Sequence, residues 1–169
     1  MSDVRERPVT RSARTEQTVH PIRKIGVVGA GQMGSGIAHV CALSGLHVML
    51  NDIAPERITE GLATISGNLA RQVSRQRISE EQRQTALKHI TAAKTVDELG
   101  DCDLVIEAAT EKEDVKRKVF SALCPVLKPE TIIGTNTSSI SITRLAAATD
   151  RPERFIGIHF MNPVPLMEL

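Results

Sequence analysis

The residues with the clearest chemical meaning form the turn Gly29-Ala30-Gly31-Gln32-Met33-Gly34, and an acid, Asp52, lies 18 residues after it. Gly29 allows a tight turn after a strand, Gly31 lets a pyrophosphate approach the backbone, and Gly34 lets the following helix lie close to the sheet. Free N–H groups at the start of that helix then face the phosphates. An acid at the tip of the next strand binds the two ribose hydroxyls. The spacing therefore predicts a dinucleotide site.

The acid also indicates which dinucleotide is bound. A carboxylate at Asp52 repels a 2′-phosphate, so NAD is favoured over NADP. Arg57 lies close enough along the chain to keep NADP open as an alternative.

A histidine and a serine later in the chain have the chemistry for proton transfer beside a nicotinamide. His159 lies in the apolar run 155–160, and Ser138 lies in the polar loop 136–139. An imidazole titrates near neutrality, which suits removal of a hydroxyl proton as hydride leaves the carbon. Ser138 could hold the substrate oxygen by a hydrogen bond. The alternatives are a structural histidine within a strand and a serine that caps a turn or a helix.

The remaining histidines and the cysteines do not have the spacing of metal ligands, so we expect no metal site. The residues concerned are His20, His39, His47, His89, Cys41, Cys102 and Cys124. We expect His39 to be a partly exposed residue of the first helix. Three scattered cysteines without a C-x-x-C spacing are typical of reduced thiols, which favours a cytoplasmic location.

The composition excludes two other classes of protein. The net charge is +1, from 21 basic and 20 acidic residues, and there are three Phe but no Tyr or Trp. Neither an excess of positive charge nor a set of stacking platforms is present, so nucleic acid binding is not expected. No apolar run approaches the roughly 20 residues of a membrane span, so we expect no membrane partner.

Apolar strand patterns alternate with helical patterns along the chain. Strands are predicted at residues 22–28, 47–51, 89–92, 104–108, 131–135 and 155–160, and helices at 32–44, 55–76, from 79, 111–123 and 141–148. This alternation predicts an α/β fold, a Rossmann-type doubly wound parallel sheet in a single domain, residues 21–169. Residues 1–20 are expected to form a disordered tail. Ligands bind at the carboxyl ends of such strands, where residues 29–34, Asp52, 109–111, 136–139 and 159–162 should converge.

Four segments in this order resemble the L-3-hydroxyacyl-CoA dehydrogenase family, most closely its bacterial 3-hydroxybutyryl-CoA branch. They read Gly-Ala-Gly-Gln-Met-Gly-Ser-Gly-Ile-Ala, Val-Ile-Glu-Ala-Ala-Thr-Glu, Thr-Asn-Thr-Ser-Ser-Ile and Gly-Ile-His-Phe-Met-Asn-Pro-Val-Pro-Leu-Met-Glu-Leu. The resemblance covers residues 22–169. It implies oxidation of an L-3-hydroxyacyl-CoA to the 3-ketoacyl-CoA, with hydride transfer to NAD.

The resemblance also implies roles for individual residues. His159 matches the catalytic base, and Ser138 matches a serine that contacts substrate and nicotinamide. The remaining matches are cofactor contacts: Asn162 near the nicotinamide, Glu111 and Lys116 on the ribose side, and Asp52 at the adenine ribose.

The chain departs from the family pattern where coenzyme A should bind. The family has a serine and a lysine on the helix after the second strand, whereas this chain has Gly61 and Asn68. Arg71 or Arg75 could substitute for them. The alternative is that these arginines, with Arg77, form a solvated face.

The family has two further features that residues 1–169 do not include. These are a glutamate that orients the catalytic histidine, for which Glu168 is not the counterpart, and an all-helical second domain that supplies most of the dimer contact. We therefore expect the full-length protein to be a homodimer, and this chain alone to bind NAD but to be poorly active. A non-catalytic NAD(H)-binding module and a dehydrogenase of another 3-hydroxy acid remain as alternatives.

Overall fold

A computed structural model of the protein describes residues 21–167. The tail predicted at residues 1–20 lies outside them. The described residues contain six strands: β1 Lys24–Val28, β2 His47–Asn51, β3 Ile90–Ala93, β4 Leu104–Glu107, β5 Ile132–Thr135 and β6 Phe155–Gly157. They form one parallel sheet in the order β3-β2-β1-β4-β5-β6. This confirms the predicted Rossmann-type sheet, in which the direction of winding reverses between β1 and β4.

Between residues 21 and 167, five α-helices connect the strands: α1 Gln32–Leu43, α2 Pro55–Ser74, α3 Glu80–Lys88, α4 Glu113–Leu123 and α5 Ile142–Ala146. Pro55 occupies the first turn of α2, where its missing N–H group leaves no helical hydrogen bond unmade. Ser79 caps α3 through the predicted capping box, because its Oγ accepts from Gln82 N at 3.1 Å and Gln82 Oε1 accepts from Ser79 N at 2.8 Å. No helix within residues 21–167 has the length and apolarity needed to cross a bilayer.

Helix α2 ends in a left-handed residue that is not glycine. Gln76 has φ 56°, the N–H of Gln76 donates to the carbonyl of Val73 at 2.8 Å, and the N–H of Arg77 donates to the carbonyl of Gln72 at 2.9 Å. This is the hydrogen-bond pattern of a Schellman motif. A side chain at its left-handed position costs about 1–2 kcal/mol.

The core lies on both faces of the sheet. Alternate residues of β4 point to opposite faces, so Ile106 packs with α1 and α2 while Val105 packs with α4. The largest buried side chains of the first face are Ile37, Leu50, Ile65 and Leu69, and those of the second face are Leu99, Phe120, Leu123, Ile133 and Leu145. Both faces are covered, which explains the continuous apolar runs in the central strands.

His39 corrects one expectation from the sequence. It was predicted to be partly exposed, but its exposed fraction is 0%. Helix α1 packs against both the sheet and α2, so seven neighbouring positions on the helix are buried as well. His39 Nε2 lies 3.1 Å from Gln72 Oε1 of α2, and Nδ1 has no partner among residues 21–167. Burial lowers the pKa of His39, so the ring is held neutral.

Candidate active site at the carboxyl edge of the sheet

The ends of the strands lie level with one another. Asn51 pairs with Val28, Val28 with Glu107, Glu107 with Thr135 and Thr135 with Gly157. The segments that follow these residues therefore leave the sheet at the same edge. They carry the glycine turn, Asp52, residues 108–111, residues 136–139 and residues 158–162.

The glycine turn is closely packed at Gly29 and Gly34 and open at Gly31. Gly29 has φ 102°, and a Cβ there would lie 2.7 Å from the carbonyl oxygen of Ala108. A Cβ on Gly34 would lie 1.6 Å from the carbonyl oxygen of Gly29. A Cβ on Gly31 would meet no atom within 4 Å, and no side chain caps the first turn of α1. The turn thus presents free N–H groups beside an open surface, which fits the pyrophosphate of NAD.

Asp52, which follows β2, links the end of this strand to the glycine turn by a hydrogen bond. Its Oδ2 accepts from Ala30 N at 2.8 Å and its Oδ1 accepts from Ala54 N at 3.1 Å. Each carboxylate oxygen has a further lone pair, so the group can also accept from ribose hydroxyls. The neighbouring Ile53 is 100% exposed, and Arg57 is exposed as well.

Gly61, which departs from the family's serine, lies on α2 against the same turn. A Cβ on Gly61 would lie 2.8 Å from Ser35 Oγ and 3.0 Å from the carbonyl oxygen of Ala30. Ser35 Oγ donates to that carbonyl at 2.8 Å. In this chain the glycine therefore allows α2 to pack closely on the turn.

Glu111 anchors the loop that carries Ser138. Its Oε1 accepts from Thr137 Oγ1 at 2.5 Å, from Ser138 N at 2.9 Å and from Ser139 N at 3.1 Å. Ser138 Oγ and Ser139 Oγ donate to the same oxygen at 3.3 and 3.0 Å. Desolvation opposes ionisation, but the hydrogen bonds from Thr137 and Ser139 outweigh it and lower the pKa of Glu111 to about 2. The carboxylate is thus ionised at neutral pH and orients Ser138.

His159 lies beyond the last strand, whereas the sequence predicted that it would end the strand. The ladder ends at Gly157, although Ile158 N still donates to the carbonyl of Thr135 at 3.0 Å. Beyond that point a side chain takes the place of the backbone acceptor, because Asn136 Oδ1 accepts from Phe160 N at 3.0 Å. His159 is exposed at this edge and is attached to the loop of Ser138 through its neighbour.

Sequence reasoning missed a buried ion pair below these loops. Lys116 and Glu107 have side chains 1% and 0% exposed. Lys116 Nζ donates to both oxygens of Glu107, at 2.9 and 2.7 Å, and to the carbonyl of Asn136 at 3.2 Å. All three ammonium hydrogens thus have an acceptor within the protein, and Glu111 Oε2 lies 4.0 Å away. The available signals were a carboxylate ending the apolar strand β4 and a lysine on the buried stripe of α4.

The segment after His159 returns to the start of α1. Asn162 is exposed and precedes a cis peptide bond to Pro163. Val164 is buried against Gly36, where a Cβ would lie 2.8 Å from Val164 Cβ. This packing holds the segment of Asn162 next to the helix that follows the glycine turn.

A basic groove of about 140 Å³ lies between the end of α2 and residues 163–166. It is lined by Asn68, Arg71, Gln72, Arg75, Arg77, Pro163, Pro165 and Leu166. Within residues 21–167 none of the three arginines forms an ion pair with a carboxylate. The groove thus presents three positive charges that no carboxylate of the described residues neutralises.

Comparison with known proteins gives a consistent result. Residues 24–169 match the NAD binding domain of 3-hydroxyacyl-CoA dehydrogenase. The chain is 68% identical over 148 residues to a 3-hydroxybutyryl-CoA dehydrogenase of Bradyrhizobium diazoefficiens, covering 88% of this chain and 50% of that protein. It is 42% identical over 148 residues to a 3-hydroxyadipyl-CoA dehydrogenase of Escherichia coli, covering 88% and 31%.

A solved structure shares the fold over the same region. The crystal structure of (S)-3-hydroxybutyryl-CoA dehydrogenase from Ralstonia eutropha superposes with a TM-score of 0.86 at 46% identity, covering 88% of this chain and 53% of that one. The chain therefore spans about half the length of the 3-hydroxybutyryl-CoA dehydrogenases it matches.

Proposed function

Because the chain belongs to the 3-hydroxyacyl-CoA dehydrogenase family and contains its NAD-binding domain, we propose that it provides the cofactor site and the catalytic base of an NAD-dependent oxidoreductase. The reaction is the reversible oxidation of an L-3-hydroxyacyl-CoA to a 3-ketoacyl-CoA. The observation that carries the proposal is the attachment of the His159 segment to the Ser138 loop, at the edge of the sheet that also carries the glycine turn.

The cofactor is held along this edge. The N–H groups of residues 31–34 bind the pyrophosphate, and Asp52 binds the adenine ribose. Glu111 Oε2 has no hydrogen bond within residues 21–167 and lies 4.0 Å from Lys116 Nζ. Glu111, Lys116 and Asn162 contact the nicotinamide half of the cofactor. NAD, when bound, accepts the hydride from carbon 3 of the substrate.

His159 and Ser138 handle the substrate hydroxyl. The exposed imidazole of His159 accepts the hydroxyl proton while hydride leaves the same carbon. Ser138 turns its Oγ from Glu111, 3.3 Å away, to donate to the substrate oxygen. The backbone N–H of Ser138 stays bound to Glu111, so the loop keeps its position during this change.

The phosphates of coenzyme A bind in the basic groove. Arg71, Arg75 and Arg77 carry positive charge there and have no carboxylate partner among residues 21–167, and guanidinium groups bind phosphates bidentately. Arg71 is held by a hydrogen bond to Asn68 Oδ1, the position where the family has a lysine. These arginines therefore take over the charge of that lysine: Arg71 lies one turn further along α2, and Arg75 and Arg77 follow the end of the helix.

The acyl group is most simply 3-hydroxybutyryl, the substrate named for the Bradyrhizobium relative. A longer dicarboxylic acyl group is the second candidate, because the E. coli relative is named for 3-hydroxyadipyl-CoA. We further propose a homodimer formed through a second domain. The free cysteines fit a cytoplasmic location.

The test is oxidation of NADH with acetoacetyl-CoA by the full gene product that contains this chain. We expect His159→Asn to lower kcat about 100- to 10,000-fold, because general base catalysis contributes that factor. The dissociation constant for NADH should stay unchanged. A matched control is His47→Asn, since His47 is an exposed histidine at the opposite end of β2 from the site. Tight NADH binding without turnover in the wild type would favour a non-catalytic module.

A further inference from the structure

We propose that Glu107 is a positioning residue, which holds Ser138 and His159 in place through Lys116 and Asn136. The inference rests on the proposed function for its catalytic meaning. Glu107 is 0% exposed, so it does not reach the surface of the site, and it contacts Lys116, which the resemblance assigns to the ribose side of the cofactor and which is itself 1% exposed. Its carboxylate and the ammonium of Lys116 together bind the segment after β4, the end of β5 and Asn136, and the side chain of Asn136 then binds the segment after β6.

The first step is the carboxylate itself. Glu107 Oε1 accepts from Ala109 N at 2.8 Å, which fixes the segment leading to Glu111. Glu107 Oε2 accepts from Thr135 Oγ1 at 2.6 Å, which fixes the end of β5. Both oxygens also accept from Lys116. One side chain with 0% exposure therefore sets the distance between two of the catalytic segments.

The second step runs through Asn136. Its N–H donates to the carbonyl of Glu107 at 2.7 Å, and its carbonyl accepts from Lys116 Nζ at 3.2 Å. The N–H of Asn136 is thus bound to the backbone of Glu107 in β4, and its carbonyl is bound to the ammonium of Lys116. The side-chain oxygen is then directed at Phe160 N, 3.0 Å away, next to His159. The position of His159 follows from the position of Asn136.

An apolar pair would fill the same volume and would avoid the desolvation of two charges. It could not, however, bind the N–H of Ala109, the hydroxyl of Thr135 and the carbonyl of Asn136. The ion pair is therefore suited to holding geometry, and its loss should appear in the rate of the chemical step. A displacement of about 1 Å can reduce that rate up to about 100-fold.

The experiment compares Glu107→Gln with Asp103→Asn in the full gene product. Asp103 also pairs with a lysine and binds two backbone N–H groups, but at the opposite end of β4. We expect Glu107→Gln to lower kcat for acetoacetyl-CoA about 10- to 100-fold, with NADH affinity retained, and to speed hydrogen exchange at the Phe160 amide. Asp103→Asn should lower the melting temperature and change neither kcat nor that exchange rate.

A second pair of variants covers the case in which Glu107→Gln does not fold. Asn136→Ala removes the acceptor for Phe160 N and should lower kcat, whereas Asn136→Asp keeps an acceptor oxygen and should recover much of it. Equal kcat in Asn136→Ala and the wild type, or unchanged exchange at Phe160 in a folded Glu107→Gln, would overturn the proposal. An inactive wild type would count against the proposed function instead, and the exchange measurement would still test the positioning.

Discussion

At the scale of single residues, two carboxylates of the site are used in different ways. Asp52 binds one backbone N–H with each oxygen, at 2.8 and 3.1 Å, and is only 9% exposed. Glu111 concentrates its protein hydrogen bonds on Oε1, and its Oε2 accepts none from residues 21–167. Asp52 thus combines a structural role at the turn with its proposed contact to the ribose, whereas Glu111 separates the two roles between its oxygens.

This difference leads to a prediction for Asp52→Ser. We expect NADH binding to weaken about 10- to 100-fold, because hydrogen bonds to a charged group contribute about 1.5–3 kcal/mol. The preference for NADH over NADPH should decrease too, since the repulsion of a 2′-phosphate is removed. Calorimetric titration with both nucleotides measures this. Asp101→Ser, at an exposed acid on the opposite edge, is the control, and an unchanged ratio of the two affinities would contradict the assignment.

At the scale of elements, helix α2 connects the glycine turn to the basic groove. Gly61 packs against Ala30 near its start, and Arg71 lines the groove in its last turn. The end of the helix is defined by the left-handed conformation of Gln76. The proposed phosphate site for coenzyme A therefore depends on how well this helix end is formed.

Gln76→Gly should stabilise the protein by about 1 kcal/mol, because glycine adopts a positive φ without the steric cost of a side chain. Gln76→Val should have the opposite effect, since a β-branched residue is poorly accommodated there. Chemical denaturation of the purified protein measures both. Gly67→Ala serves as a control within the same helix, because a Cβ there would meet no atom within 4 Å; it should be mildly stabilising through helix propensity. Equal stability of the glycine and valine variants at 76 would refute the argument.

At the scale of the whole molecule, three carboxylates oppose acid unfolding from separate places. Asp103 lies before β4, Glu111 at the site and Asp150 after α5. The pKa of Asp150 is lowered to about 2 by its hydrogen bond from Arg151. The pKa of Asp103 is also about 2, because hydrogen bonds from Lys128 and the N–H groups of Arg23 and Lys24 outweigh desolvation.

We therefore expect stability to fall as the pH is lowered from about 4.5 to about 2. In that range these groups stay ionised in the folded protein, while the unfolded chain, with ordinary pKa values of 3.8 and 4.5, takes up protons. Above pH 4.5 their contribution is complete. Denaturation curves at several pH values measure the slope, and Asp103→Asn should make it shallower. The same slope in this variant and the wild type would contradict the prediction.

The fold was accessible from the sequence because its signals are local. Alternating apolar periods and the glycine turn predicted the parallel sheet, and Ser79 with Gln82 predicted a capping box. Features that depend on distant contacts were not accessible. His39 is hydrogen-bonded to Gln72, 33 residues away, and the hydrogen bonds of Glu111 come from residues 26 to 28 positions further along the chain. The strand before His159 ends at Gly157, and the Asn136 side chain binds the N–H of Phe160 in place of a neighbouring strand. The spacing of apolar residues along the sequence cannot predict such a contact.

The packing around the glycine turn also bears on how cofactor preference can evolve. A side chain at Gly29 or Gly34 would collide with neighbouring backbone atoms, so we expect substitutions at these two positions to destabilise the fold. Ile53 and Arg57, in contrast, are exposed and follow Asp52 closely along the chain. We therefore expect substitutions that change the nucleotide preference to occur at these two positions, because exposed side chains can be replaced without disrupting the fold.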